Sequence, residues 1–322
     1  MQDHIIAKKS GGLFAAALSE SGMPSAMPPD FAKNNTNTFL KDIGCGGSAA
    51  SALSCLQGKS VEEVLAASDK ESGTGDPFVI PGWGPTVDGD EFYDDPNIML
   101  QNGDLNRDVT VVAGSNTDEG VLFTPPQPLD KDAYEKFIGE VLFGHGKPFN
   151  QTQLDLVVKM YPEKSAIENH KTAAQLIGDL TFVCGSRGLV QFASTWGTKP
   201  AYLYHFDIPI AGVVLHASEL PYVFDMSDVQ KDSAHAKVAE AMGDLWFSFA
   251  EGSGPGSAWP KYANSSDENI VFRSPIKGST FGTETGRRGK YCDFWFDLFY
   301  PADSASSWRA EVSQRAMALL AL

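Results

Sequence analysis

Positive charge is scarce in this sequence. Its 322 residues carry 25 Lys and Arg against 41 Asp and Glu, a formal net charge of -16. Such a chain repels phosphate backbones, so nucleic acid is not an expected partner. No run of about 18 apolar residues occurs, so no membrane span is expected. The first ten residues, MQDHIIAKKS, lack the long apolar core and small-residue cleavage site of a signal peptide. The histidines His4, His145, His170, His205, His216 and His235 are dispersed without ligand spacing, so no metal is expected. No phosphate-binding or dinucleotide fingerprint is present, and no cofactor is expected.

What is present reads as a folded α/β chain. Apolar residues make up 42% and aromatics 11%, which supports a core and argues against disorder. Residues 14–18 are apolar and small and end at Ser19-Glu20-Ser21-Gly22, which places a strand there, after the helix end at His4-Ile5-Ile6. Ser60 and Glu63 form a capping box that starts a helix running to about Ala67. Residues 109–113 (VTVVA) and 201–206 (AYLYHF) are β-branched or aromatic runs of buried-strand type. Residues 131–171 read as helices broken at Gly144 to Gly146 and at Pro162, and residues 174–196 as one further helix. Another helix is expected over 234–250, a short strand over 269–272 and a terminal helix over 306–322. Strands alternating with helices imply layers of helix on sheet.

In such sheets chemistry collects in loops beyond the carboxyl ends of strands. The loop after 109–113 reads GSNTDEG and displays Glu119 in a tight turn. The loop after 201–206 contains His216, followed by Glu219-Leu220-Pro221-Tyr222-Val223-Phe224. Taken singly, the first could be a solvated acidic loop and the second a core histidine. Together, an acid on one strand-end loop and a histidine on a later one follow the order Ser, Asp or Glu, His of serine hydrolases. That order calls for a serine upstream of Glu119 in a Gly-x-Ser-x-Gly elbow, where glycines permit the strained turn. No such elbow exists in the chain. Ser48, Ser186 and Ser21 lie in near misses, each lacking at least one of the glycines.

These motifs resemble the type-B carboxylesterase and cholinesterase family over nearly the whole chain. Gly11-Gly12-Leu13-Phe14 with Ser19-Glu20-Ser21-Gly22 is similar to the family segment that follows its nucleophile elbow, and Val87-Asp88-Gly89 to a further family element. Gly114, Asn116, Asp118, Glu119 and Gly120 match the loop of the triad acid. His216, Glu219 and Leu220 match the loop of the triad base. Trp246, Phe249, Ala250, Gly252, Pro255, Trp259 and Pro260 follow another family pattern.

The resemblance implies an α/β-hydrolase fold, with residues 1–322 the C-terminal part of a single domain and its share of the central sheet and surrounding helices. It implies catalytic roles for Glu119 and His216 and a small carboxylic ester as substrate. Ser21 matches a serine whose hydroxyl can bond the acid, although a plain turn residue is an equal reading. The nucleophile and oxyanion loop would precede His4, so the chain alone is expected to be inactive. A non-catalytic adhesion or interaction protein is the alternative. A third reading is an incomplete gene product, poorly soluble because a central strand becomes an exposed edge.

Four cysteines allow three pairings, or free buried thiols. The resemblance implies Cys45 with Cys55 and Cys184 with Cys292, worth roughly 2.5–3 and about 4.7 kcal/mol by the chain-entropy model. Sequons at Asn34, Asn150 and Asn264 join the disulfides in pointing to a secreted or extracellular parent protein.

Overall fold

The apolar runs form the centre of a sheet that the rest of the chain wraps. The computed structural model describes residues 2–22, 24–71, 83–144, 150–226, 229, 232–252, 254–276 and 279–300. In chain order the first elements are α1 (Gln2–Ile6), β1 (Ala16–Glu20), α2 (Pro29–Asp42), α3 (Ala49–Gln57), α4 (Val61–Glu71), α5 (Pro96–Asn102) and β2 (Thr110–Asn116). Next come α6 (Lys131–Gly144), α7 (Gln151–Met160), α8 (Ala166–Ile177), a π-helical turn (Gly178–Val183), α9 (Cys184–Trp196) and β3 (Ala201–Asp207). The last are α10 (Leu220–Val223), α11 (Ser233–Ala250), β4 (Glu268–Ile276), β5 (Ser279–Thr285) and α12 (Gly289–Phe299).

Among the described residues the sheet has the order β1-β2-β3-β4-β5. The first four strands run parallel and β5 returns antiparallel to β4. Parallel strands need both faces covered, and alternate side chains divide accordingly. Val111, Ala113, Ala201 and Leu203 join the core that includes Ile5 of α1, Met99 of α5 and Leu189 of α9. Val112, Tyr202, Tyr204 and Phe206 join the opposite core with Val238 and Met242 of α11. A third core packs α6, α7, α8 and α12 around Cys184 and Cys292.

Because β1, β2 and β3 are parallel, their carboxyl ends lie at one edge of the sheet. The register pairs Glu20 with Gly114 and Gly114 with Tyr204. Gly114 is required there, since a Cβ would stand 2.1 Å from the Tyr204 ring. The strand end that presents the acid is thus packed down to bare backbone.

The disulfides join Cys45 to Cys55 and Cys184 to Cys292, as the resemblance implied, and no free cysteine is present. The capping box at Ser60 and Glu63 is formed in both directions. Several boundaries differ from expectation. The first strand lies two residues later than 14–18, because Ser19 and Glu20 continue its ladder against β2. The helix expected over 174–196 is divided by the π turn, where Gly178 packs against the Gly120 backbone. β4 extends beyond 269–272 because β5, not foreseen, pairs with it. Helices α2, α3 and α5 also went unforeseen. Their starts are nonetheless marked by Pro29, by the Ser48 cap and by Asp95-Pro96. The expected helix over 306–322 and the break at His145-Gly146 lie outside the described residues.

Candidate active site

Glu119 stands at the start of a short 3-10 turn (Glu119–Phe123) just past β2, and only 1% of it is exposed. Gly120 must follow it, because a Cβ there would lie 1.9 Å from the Ala174 carbonyl oxygen of α8. An isolated buried carboxylate is costly to ionise. Here three donors receive it. The Ser21 hydroxyl donates to Oε1 at 2.6 Å, and the Asn116 backbone N–H donates to the same oxygen at 2.6 Å. His216 Nδ1 lies 2.6 Å from Oε2. The carboxylate accepts, so Nδ1 carries the proton in this contact and Nε2 is the imidazole's remaining valence.

Ser21 reaches Glu119 through an unusual backbone. Its φ is 52°, the left-handed region, and its N–H donates to the Gly114 carbonyl at 2.9 Å. Ala217, directly after His216, also has positive φ, at 67°. Non-glycine residues held there are strained, a state found often at functional positions.

The Glu119 loop and the His216 loop are tied together directly. The Asp118 carboxylate accepts from Val214 N–H at 2.8 Å, and Asp118 N–H donates to the Val214 carbonyl at 2.9 Å. The Asn116 side-chain amide donates to the Leu215 carbonyl at 2.8 Å and also to the buried Glu219 carboxylate. Arg287 donates from Nη2 to the Asn116 carbonyl at 2.8 Å. Asn116 therefore connects Glu119, the His216 loop and a buried cation from one residue.

His216 packs against two rings. Its centroid lies 4.5 Å from that of Phe182 and 5.4 Å from that of Phe123. Its side chain keeps 30% exposure. The hydrogen bond to Glu119 raises its pKa above the usual histidine range, against the opposing effect of burial. Burial also raises Glu219 and Glu20, and pushes Arg287 down to about 9, so that it remains charged at neutral pH.

The structure therefore brings together Glu119, His216 and Ser21. No serine or cysteine side chain among the described residues bonds the His216 ring. Ser186 is buried in α9 and donates to the Gly114 and Gly22 carbonyls, and Ser48 caps α3. Both near-miss serines have structural work elsewhere. The sequon asparagines are all exposed: Asn34 on α2, Asn150 as the cap of α7, and Asn264 bonded to Thr195. No group of His, Cys, Asp or Glu suited to a metal occurs among the described residues. Nor is any helix there long and apolar enough to cross a membrane.

Sequence reasoning missed Phe182 and Arg287 as site neighbours. Phe123 had a local signal, lying four residues after Glu119. Phe182 and Arg287 come from distant segments and had none.

The chain is similar to known proteins in sequence and in fold. The chain is 25% identical to mouse cholinesterase, over 92% of this chain and 53% of that protein. It is 26% identical to the para-nitrobenzyl esterase of Bacillus subtilis, over 82% of this chain and 54% of that protein. A solved structure titled PNB esterase superposes with a TM-score of 0.73 at 21% identity, over 92% of this chain and 60% of that one, which gives the α/β-hydrolase fold. The chain spans about half the length of the curated relatives it matches. The model of the carboxylesterase family matches residues 2–295, and the chain belongs to that family.

Proposed function

We propose that this chain supplies the acid and base of a carboxylic-ester hydrolase, with Glu119 orienting His216 and His216 activating a serine from outside these 322 residues. The 2.6 Å contact between Glu119 and His216 Nδ1 carries the reading. A proton held on Nδ1 leaves Nε2 basic. Nε2 can then take the proton of a hydroxyl placed about 3 Å away and return it to the leaving alcohol. Glu119 stabilises the imidazolium formed in between. Phe123 and Phe182 fix the ring plane. The names of the relatives, cholinesterase and para-nitrobenzyl esterase, support a small carboxylic ester as substrate.

The sequence holds no Gly-x-Ser-x-Gly elbow, so the chain alone should lack His216-dependent turnover. Purified chain and its His216→Ala variant should hydrolyse a short-chain aryl ester at the same background rate. A longer product of the gene with an in-frame elbow should hydrolyse it rapidly and lose this with the same substitution. Robust hydrolysis by the 322-residue chain, abolished by His216→Ala, would overturn the division of labour. The missing elbow also favours a second reading, a non-catalytic interaction protein. An upstream elbow with its serine replaced would select that reading.

The two disulfides and three exposed sequons support a protein made in the secretory pathway and acting outside the cell.

A further inference from the structure

The loop that carries Glu119 holds a second polar relay, which ester hydrolysis does not use directly. Thr117 lies between Asn116 and Asp118. Its hydroxyl oxygen is 2.7 Å from His205 Nε2 and 2.6 Å from Asp207 Oδ1. His205 Nδ1 is 2.7 Å from Glu284 Oε1, which also accepts from Asn269 Nδ2 at 3.1 Å. Thr117 is exposed, whereas His205 is buried. These contacts join the end of β2, the end of β3 and strand β5.

With both carboxylates ionised, counting protons selects one state of the relay. A hydroxyl has one proton to give. Were it given to His205 Nε2, two acceptor oxygens, those of Thr117 and Asp207, would face each other at 2.6 Å. Given to Asp207, it leaves the Thr117 oxygen as acceptor, and Nε2 must then carry a proton. With Glu284 ionised, Nδ1 must carry one too, since a carboxylate only accepts. Every contact is satisfied when His205 is an imidazolium. The charged groups around it are Glu284 of β5, Asp207 of β3 and Arg273 of β4, which stands opposite Asp207 in the sheet register. Burial raises the Glu284 carboxyl above its usual range, with Asp207 adding to this, while the Asn269 hydrogen bond and Arg273 favour its charged form.

We infer that His205 is a positioning residue for the acid of the triad: held as an imidazolium between Glu284 and Thr117, it braces the loop on which Glu119 stands. The brace grips that loop between Asn116, whose N–H holds Glu119, and Asp118, which is bonded twice to Val214 of the His216 loop. Loss of the Nε2 proton leaves the Thr117 hydroxyl with one proton for two acceptors and releases one contact. The brace is therefore tight when His205 is charged and loosens at alkaline pH. The inference rests on Glu119 and His216 being acid and base, and it assigns a group that tunes their alignment.

Nitrogen-15 histidine spectra of the whole chain test it, with the His205 signals assigned by their loss in His205→Gln. At neutral pH both His205 ring nitrogens should be protonated. A neutral ring with a bare Nε2 overturns the inference. The second arm follows the downfield His216 Nδ1 proton shared with Glu119. In Thr117→Val, an exposed change that spares the core, this proton should exchange with water about 10-fold faster, as expected for loss of one hydrogen bond. Thr117→Ser should restore the wild-type rate. Wild-type exchange in Thr117→Val overturns the brace alone. Absence of the downfield proton from the wild-type chain overturns the acid and base reading, and the brace with it.

Discussion

Two buried carboxylates in this molecule are met by the same number of donors and put to different ends. Asp179, on the π turn, receives Arg288 through Nε at 2.7 Å and through Nη2, and the Tyr161 hydroxyl at 2.8 Å. Arg288 also lies over the Tyr291 ring, 3.6 Å from its centroid. Although burial opposes its charge, the hydrogen bonds and charge of Asp179 raise the guanidinium pKa further above its ordinary value, while burial raises the Asp179 carboxyl against the pull of Arg288. Glu119 also has three donors, but one of them is His216, whose ring titrates and is partly exposed. Burial and donor count do not separate support from chemistry. The separation lies in the cation. A permanently charged guanidinium holds two segments together, whereas an imidazole with no second partner among the described residues is open to proton transfer.

The comparison predicts unequal costs. Asp179→Asn strands the Arg288 charge and should cost about 3–5 kcal/mol of stability, read from urea midpoints. His216→Ala should cost about 1–2 kcal/mol: it takes the donor from Oε2 of Glu119, but the ring is partly exposed and water can enter the space it leaves. Equal losses in the two variants would break the comparison. Ser21→Ala comes next, at about 1.5–3 kcal/mol, since it takes a donor from a buried charged acceptor. It should also move the His216 titration in the NMR spectrum, which a turn residue alone would not do.

The pH dependence sharpens the contrast. The folded-state pKa of His216 is raised above its unfolded value of about 6.5. Its pairing with Glu119 therefore stabilises the fold fully below that unfolded value, and the contribution disappears as pH rises through the higher folded one. The stability gap between wild type and His216→Ala should follow this course in urea titrations at stepped pH. The cost of Asp179→Asn should stay level across the same window. The smallest effect is expected at Glu20, which burial raises and Trp246 bonds at 3.0 Å. Its charged form is the disfavoured one, so Glu20→Gln should stabilise the fold at neutral pH by about 0.5 kcal/mol. That gain should fade as pH falls through the carboxylate range, as thermal melts at the two pH values can show.

The legibility of the sequence follows the range of the interactions. Strands 110–116 and 201–207 announced themselves through uninterrupted β-branched and aromatic runs, because both their faces are buried. The acid and histidine were legible because chain order and motif spacing encode which strand ends they follow. Ser21 was legible only through family resemblance. Its left-handed backbone and its bond to a residue 98 positions away have no local signature. The π turn escaped the periodicity of residues 174–196 because one extra residue barely disturbs an apolar stripe. The contact that accompanies it, Gly178 against Gly120, is tertiary. The relay through Thr117, His205 and Glu284 was equally hidden, since it joins three strands through polar groups that each look unremarkable in sequence.

That π turn has a consequence for how the site tolerates disturbance. Gly178 packs on the backbone beside the acid, and Phe182, four residues on, packs on the ring of the base. One helical segment thus touches both partners. Because the same segment backs both, a displacement of it should push Glu119 and His216 in the same direction. The hydrogen bond between Glu119 and His216 depends steeply on separation and little on shared translation. A turn that backs both residues in this way would filter helix motion out of the 2.6 Å contact between them.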